Sequence, residues 1–279
     1  MAEPLAIGVF AGLHPDPSTA LDAVRTLGIA TVQVSYSANL DTAEGIGQIQ
    51  DALAATGIEI TTVFCGFPGE SYADIPTVHD TVGLVPAATR DERLKRISTI
   101  SEFAARLGVE RIGAHIGFIP EDPNDELYPL IVQVVQRVCD DVAAREQVFA
   151  LETGQETATT LRRFIGDVAR PNLSVNFDPA NMILYGNDKP IEALDVLGQW
   201  IGSVHCKDGK WPTAPNQLGH ETPLGEGDVD IAAWLQKLLQ IGYRGPLTIE
   251  REISGPQQRQ DILHAKQLLQ ELVAKHSGA

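Results

Sequence analysis

Short apolar stretches rich in valine and isoleucine alternate along the chain with longer stretches of helical period, the pattern of parallel βα units. Eight strand candidates stand out: LAIGVFAG from Leu5, TVQVSY from Thr31, IEITTVFCGF from Ile58, RIGAHIGF from Arg111, VFALETG from Val148, LSVNFDPAN from Leu173, GSVHCKDG from Gly202 and GPLTIERE from Gly245. Each precedes a helical segment, most clearly RDERLKRISTISEFAARLG, DELYPLIVQVVQRVCDDVAARE and PQQRQDILHAKQLLQELVAK. Glycines in RTLGIA, AATGIE, ARLGVE and LQIGYRG mark helix ends just before the next strand, where a left-handed residue closes the last turn. Two long polar loops follow the third and seventh strands, and long loops in compact domains tend to carry function. No proline- or serine-rich linker divides the chain. Eight units in one undivided chain predict an α/β fold, a (β/α)8 TIM barrel, as a single domain over residues 1–279.

Composition narrows the class. With 43% hydrophobic and 21% charged residues among 279, the chain has ample material for a core. Its formal net charge of −16 repels a phosphate backbone and argues against a nucleic-acid partner. The start MAEPLAIGVF lacks a signal-peptide pattern, and no run reaches the roughly 18 apolar residues of a membrane helix, so no membrane association and a cytoplasmic location are expected. Cys65, Cys139 and Cys206 are odd in number and lack CxxC spacing, which predicts reduced, buried thiols.

Strand parity then selects candidate chemistry, because successive side chains in a barrel strand alternate between the interior and the surrounding helices. Placing Glu152 inward sends Phe149 and Leu151 outward; an inward Asp178 sends Val175 and Phe177 outward. An inward His205 leaves Val204 and Cys206 outside, and an inward Glu250 does the same for Leu247 and Ile249. All four strands give one answer: ionisable groups converge at the C-terminal ends of strands five to eight, where barrel enzymes carry their active sites. Three carboxylates so close would repel one another without a cation. Three oxygens and one imidazole suit one divalent metal ion, Mn²⁺ or Mg²⁺ first, with Co²⁺ and Zn²⁺ also compatible. His115 is inward by the same parity. Lys207 and Trp211 near the barrel mouth are candidates for contact with substrate.

ALETG, NFDPAN, SVHCKDG and GPLTIERE, in this order, together with LGEGDVDI, resemble the xylose isomerase-like barrel superfamily of sugar phosphate isomerases and epimerases, which includes the ketose 3-epimerases and inosose dehydratases. The resemblance spans nearly the whole chain. It implies that Glu152, Asp178, His205 and Glu250 are the four metal ligands, and it prefers Glu250 over Glu252. It implies no single reaction, and family members are often homo-oligomers. Two departures matter. Asn181 stands where ketose 3-epimerases carry a histidine, which makes it a substrate-binding candidate and removes a ligand expected of the related three-zinc AP endonucleases. Lys207 and Lys210 stand where epimerases carry an arginine.

The function this implies is a metal-dependent isomerase or epimerase acting on a small-molecule sugar, a keto-sugar or related polyhydroxylated carbonyl compound. Glu152 and Glu250 would exchange a proton as acid and base around a cis-enediolate, Mn²⁺ being the leading cofactor. A lyase or dehydratase acting on a keto-sugar, inosose or 3-keto-glycoside is the alternative, and a non-catalytic sugar-binding barrel the remote one.

Overall fold

The chain's computed structural model describes residues 5–277. Its strands are β1 (Ile7–Ala11), β2 (Thr31–Ser35), β3 (Glu59–Phe64), β4 (Arg111–Ala114), β5 (Val148–Glu152), β6 (Leu173–Phe177), β7 (Ile201–Cys206), β8 (Asp208–Lys210), β9 (His220–Thr222) and β10 (Leu247–Ile249). Eight of them close a parallel barrel in the order β1-β10-β7-β6-β5-β4-β3-β2, and β8 and β9 form a separate two-stranded antiparallel sheet. The closed barrel is the (β/α)8 architecture that the alternating pattern predicts. The hairpin corrects one expectation: the seventh strand stops at Cys206, and the segment from Asp208 leaves the barrel to pair with His220–Thr222.

Helices α1 (Pro17–Thr26), α2 (Ala43–Thr56), α3 (Ile75–Thr81), α4 (Arg90–Arg106), α5 (Leu127–Ala143), α6 (Ala158–Val168), α7 (Pro179–Leu184), α8 (Pro190–Leu197), α9 (Ile231–Gln240) and α10 (Pro256–Ser277) complete the fold. The short α3 and α7 are additions to the eight units. Gly28, Gly57, Gly108 and Gly242 have φ of 65°, 69°, 72° and 90° at helix-to-strand turns, a conformation that costs glycine little.

Outward strand residues Phe149, Leu151, Val175, Phe177, Val204, Leu247 and Ile249 join a continuous apolar core with Phe164 of α6, Leu194 of α8 and Trp234 of α9. Burial of such side chains, about 1.5–3 kcal/mol each, drives helices onto the barrel and fixes strand register, since a one-residue slip would reverse every face. The three cysteines are free and buried, as expected. Cys206 joins the core, and burial pushes its thiol pKa up. Among the described residues no helix is long and apolar enough to cross a membrane.

Two long loops meet above the barrel's C-terminal end. The Ile75 N–H at the start of α3 donates to the Asn216 carbonyl in the β8–β9 loop at 3.1 Å. Leu218, Ile75 and Phe118 pack against a small apolar cluster of Val78, Val82 and Tyr185. These contacts roof a cleft of about 980 Å³ whose lining includes Glu152, Glu250 and His115.

Candidate metal centre

Four neighbouring barrel strands each deliver one donor. Glu152 ends β5, Asp178 follows β6, His205 lies in β7 and Glu250 follows β10. One ligand atom from each lies within 4.8 Å of all the others. The His205 Nδ1 stands 2.8 Å from Glu152 Oε1, 3.1 Å from Glu250 Oε2 and 3.7 Å from Asp178 Oδ2. Asp178 also caps α7: its Oδ1 accepts the N–H groups of Ala180 and Asn181 at 2.8 and 3.0 Å. Helix start and donor site are thus made by one carboxylate, whose Oδ2 remains for the cluster.

The arrangement fits a cation. The Gln33 amide nitrogen donates to Thr248 Oγ1 at 3.3 Å, so its Oε1 is the atom that accepts from His205 Nε2–H at 2.8 Å. That bond assigns the proton to Nε2 and turns the Nδ1 lone pair toward three carboxylates. Nδ1 and Asp178 Oδ2 are both buried and neither makes a hydrogen bond, despite the close oxygens around Nδ1. Three carboxylates against the single ammonium of Lys207 leave two negative charges when the imidazole is neutral, the charge a divalent ion balances. Glu152, Asp178, His205 and Glu250 therefore could hold a metal ion.

Without a cation, protons respond to the same field. Burial works against the His205 imidazolium, but Glu250 and Glu152 outweigh it and raise the ring's pKa well above its ordinary value. Burial likewise penalises the Glu250 carboxylate, yet His205 and Lys207 hold its pKa well below the usual range. Asp178 goes the other way, because burial dominates and raises it.

The flanking residues form two arms. On one, His115 Nε2 lies 3.1 Å from Glu152 Oε2, while its Nδ1 meets the Gln155 amide at 3.2 Å and Gln155 Nε2 donates to the Tyr185 hydroxyl at 3.1 Å. On the other, Lys207 is buried and its Nζ donates to Asn181 Oδ1 at 3.2 Å and Glu250 Oε2 at 3.1 Å, with Glu252 Oε1 also at 3.1 Å. Asn181 and His115 both line the cleft. Trp211 is not among the lining residues; its N–H donates to Asp228 Oδ2 at 3.3 Å on the outer loop. Glu252 is well exposed and pairs with Lys207 from outside the four-donor cluster.

Gln33, Gln155 and Tyr185 escape a reading of the sequence. Gln33 carried a usable signal, being the polar residue at inward parity within TVQVS. Gln155 and Tyr185 lie beyond strand ends, where parity no longer applies. Replacing Gln33 by leucine is expected to lower metal affinity about 10- to 100-fold by freeing the His205 ring, and to destabilise the metal-free protein by about 1–3 kcal/mol because the buried Nε2–H loses its acceptor. Metal titration beside a thermal melt checks this.

A family model described as a xylose isomerase-like TIM barrel matches residues 21–272. The crystal structure of a xylose isomerase domain protein from Planctomyces limnophilus superposes with a TM-score of 0.94 at 44% identity, over 99% of this chain and 100% of that one. An uncharacterized protein of Methanocaldococcus jannaschii is 24% identical over 211 residues, 70% of this chain and 68% of that protein. An L-ribulose 3-epimerase from a Methylomonas species is 31% identical over 142 residues, and the match spans 48% of this chain and less than half, 46%, of that enzyme.

Proposed function

We propose, from the premise that the chain belongs to the xylose isomerase-like TIM barrel family, that it is a divalent-metal-dependent sugar isomerase or epimerase acting on a keto-sugar or related polyhydroxylated carbonyl compound. The observation that carries this reading is the buried His205 Nδ1 atom set among three carboxylate oxygens with no hydrogen-bond partner. Its similarity to an L-ribulose 3-epimerase supports the sugar class. The hard oxygen-rich donor set favours Mn²⁺ or Mg²⁺.

When bound, the cation would polarise the substrate carbonyl and acidify the neighbouring carbon-bound hydrogen. The chain's own residues do the rest. Glu152 and Glu250 sit on β5 and after β10, three strand steps apart around the barrel, and both line the cleft. A substrate between them presents opposite faces to the two carboxylates, one taking the proton and the other returning one. Return to the same carbon inverts it; return to the adjacent carbon isomerises the sugar. His115, its Nε2 3.1 Å from Glu152 Oε2, stands against that carboxylate. Lys207 donates to Glu250 Oε2, and Asn181 offers its amide to substrate hydroxyls from the cleft wall.

The test is deuterium uptake from heavy water into keto-sugars by the metal-loaded protein. Metal-dependent uptake into a product of otherwise unchanged mass is expected. Loss of water or of a glycosyl group points to a lyase on the same scaffold. Tight sugar binding without uptake, in protein of verified metal content, overturns the proposal.

A further inference from the structure

Barrel enzymes commonly bind substrate phosphate with backbone amides of the loops after the seventh and eighth strands and a nearby helix N-terminus. In this chain several of those donors are already taken by its own carboxylates. Asp208, fully buried just past β7, gathers the loop that leads to α9. Its Oδ1 accepts from the N–H of Gly209 at 2.9 Å and of Val229 at 3.1 Å, and its Oδ2 from the N–H of Gly225 at 2.9 Å and of Gly227 at 3.0 Å. A Cβ at Gly227 would stand 1.9 Å from Asp208 Oδ1, so the loop closes around this carboxylate only with glycine there. At the eighth strand, Glu221 of β9 receives the Glu252 N–H on both oxygens at 3.1 Å and pairs with Arg251 at 2.8 Å. The first turn of α9 is capped by Asp230, which accepts from Ala233 N–H at 3.2 Å.

Three cations near the mouth are committed as well. Among the described residues lining the cleft there is no lysine or arginine, whereas Asp74, Glu221 and Glu252 line it beside Glu152 and Glu250. Lys207 is held by Asn181, Glu250 and Glu252, and Lys210 by Asp228 at 2.8 Å. Arg96 donates to the Gly66 carbonyl at 2.9 Å and lies over the Tyr36 ring. An anionic substituent entering this cleft would give up its hydration and meet carboxylates instead of donors.

Resting on the function proposed above, we infer that the substrate is an uncharged polyhydroxylated carbonyl compound, neither phosphorylated nor carboxylated, because carboxylates line the cleft without a lysine or arginine, and Asp208 and Glu221 hold amides of the loops after β7 and β10. The cleft's remaining donors and acceptors, among them Asn181 and His115, suit hydroxyl groups.

The experiment uses the full-length, metal-loaded protein and two probes. The first is deuterium uptake into matched pairs of a ketose and its phosphate ester; kcat/KM is expected to favour the neutral sugar by about 10- to 100-fold. The second is inorganic phosphate, titrated against melting temperature in a chloride-matched buffer, where no specific stabilisation is expected. A preference for the ester, or saturable stabilisation by phosphate, overturns the inference. If neither sugar exchanges, the proposed function fails, while the phosphate titration still decides whether an anion site exists. Flat phosphate response then upholds the closed amide sites, and a saturable one refutes them.

Discussion

Glu152→Gln is expected to remain folded and to lose about 10²–10⁴-fold in kcat, the contribution of a positioned acid or base. The amide keeps the size of the carboxylate and one oxygen for the cluster, but it cannot accept a carbon-bound proton. It also takes the negative charge away from His115, whose Nε2 lies 3.1 Å from Glu152 Oε2. Metal content measured on the same samples separates the two roles. A variant that retains metal and loses deuterium uptake identifies Glu152 as a proton carrier. Undiminished turnover would sink the mechanism, since Glu152 is the carboxylate that β5 contributes to the cluster.

His205→Ala is expected to abolish stoichiometric metal binding and, with it, turnover. The imidazole is the single nitrogen donor and is central to the cluster, its Nδ1 within 3.7 Å of all three carboxylates. Truncation leaves Gln33 Oε1 without its donor and three carboxylates facing one another. Elemental analysis of wild type and variant, purified and reconstituted alike, checks this; equal metal in both would return His205 to the role of a packed core residue.

The same ring sets the pH response. In metal-free protein its pKa is raised by Glu250 and Glu152 against the opposing effect of burial. A raised folded pKa contributes stability that is fully present below the unfolded value, about 6.5, and is lost as pH rises through the folded value. Glu250, with its pKa lowered, contributes stability present above the ordinary carboxylate value and lost as pH falls through the folded one. Metal must displace the His205 proton, so its affinity is expected to fall as pH drops and its binding to release a proton. Melting curves across pH, with and without metal, test the sign: alkaline pH weakens the metal-free protein and spares the loaded one. A metal affinity that does not change between pH 5 and 8 would contradict it.

Much of this site could be read from the strands. Glu152 and His205 lie within regular strands, and Asp178 and Glu250 one residue beyond them, so alternation against buried Phe149, Phe177, Val204 and Ile249 was enough to turn all four inward. Asn181 and Lys207 were legible as departures from a resemblance, though nothing in the chain's order announced that they hydrogen-bond each other. Trp211 illustrates the opposite case. Its aromatic character near the mouth suggested a sugar platform, but the β8–β9 hairpin carries it away from the cleft lining. That hairpin pairs Asp208–Lys210 with residues ten to fourteen positions further on across an irregular loop, and no periodicity encodes such a partner.

By itself, then, the sequence determined the eight βα units, the inward set of three carboxylates and one imidazole, and the sign of the charge around them. Those features depend on local period, and burial of one face enforces them strand by strand. The tertiary structure alone decided that Gln33 fixes the His205 ring, that His115 and Lys207 each brace one acidic residue, and that Asp208 closes the loop amides after β7. Each of these is a polar contact between side chains or loops whose distance depends on barrel closure and loop path, which no local pattern in the chain specifies.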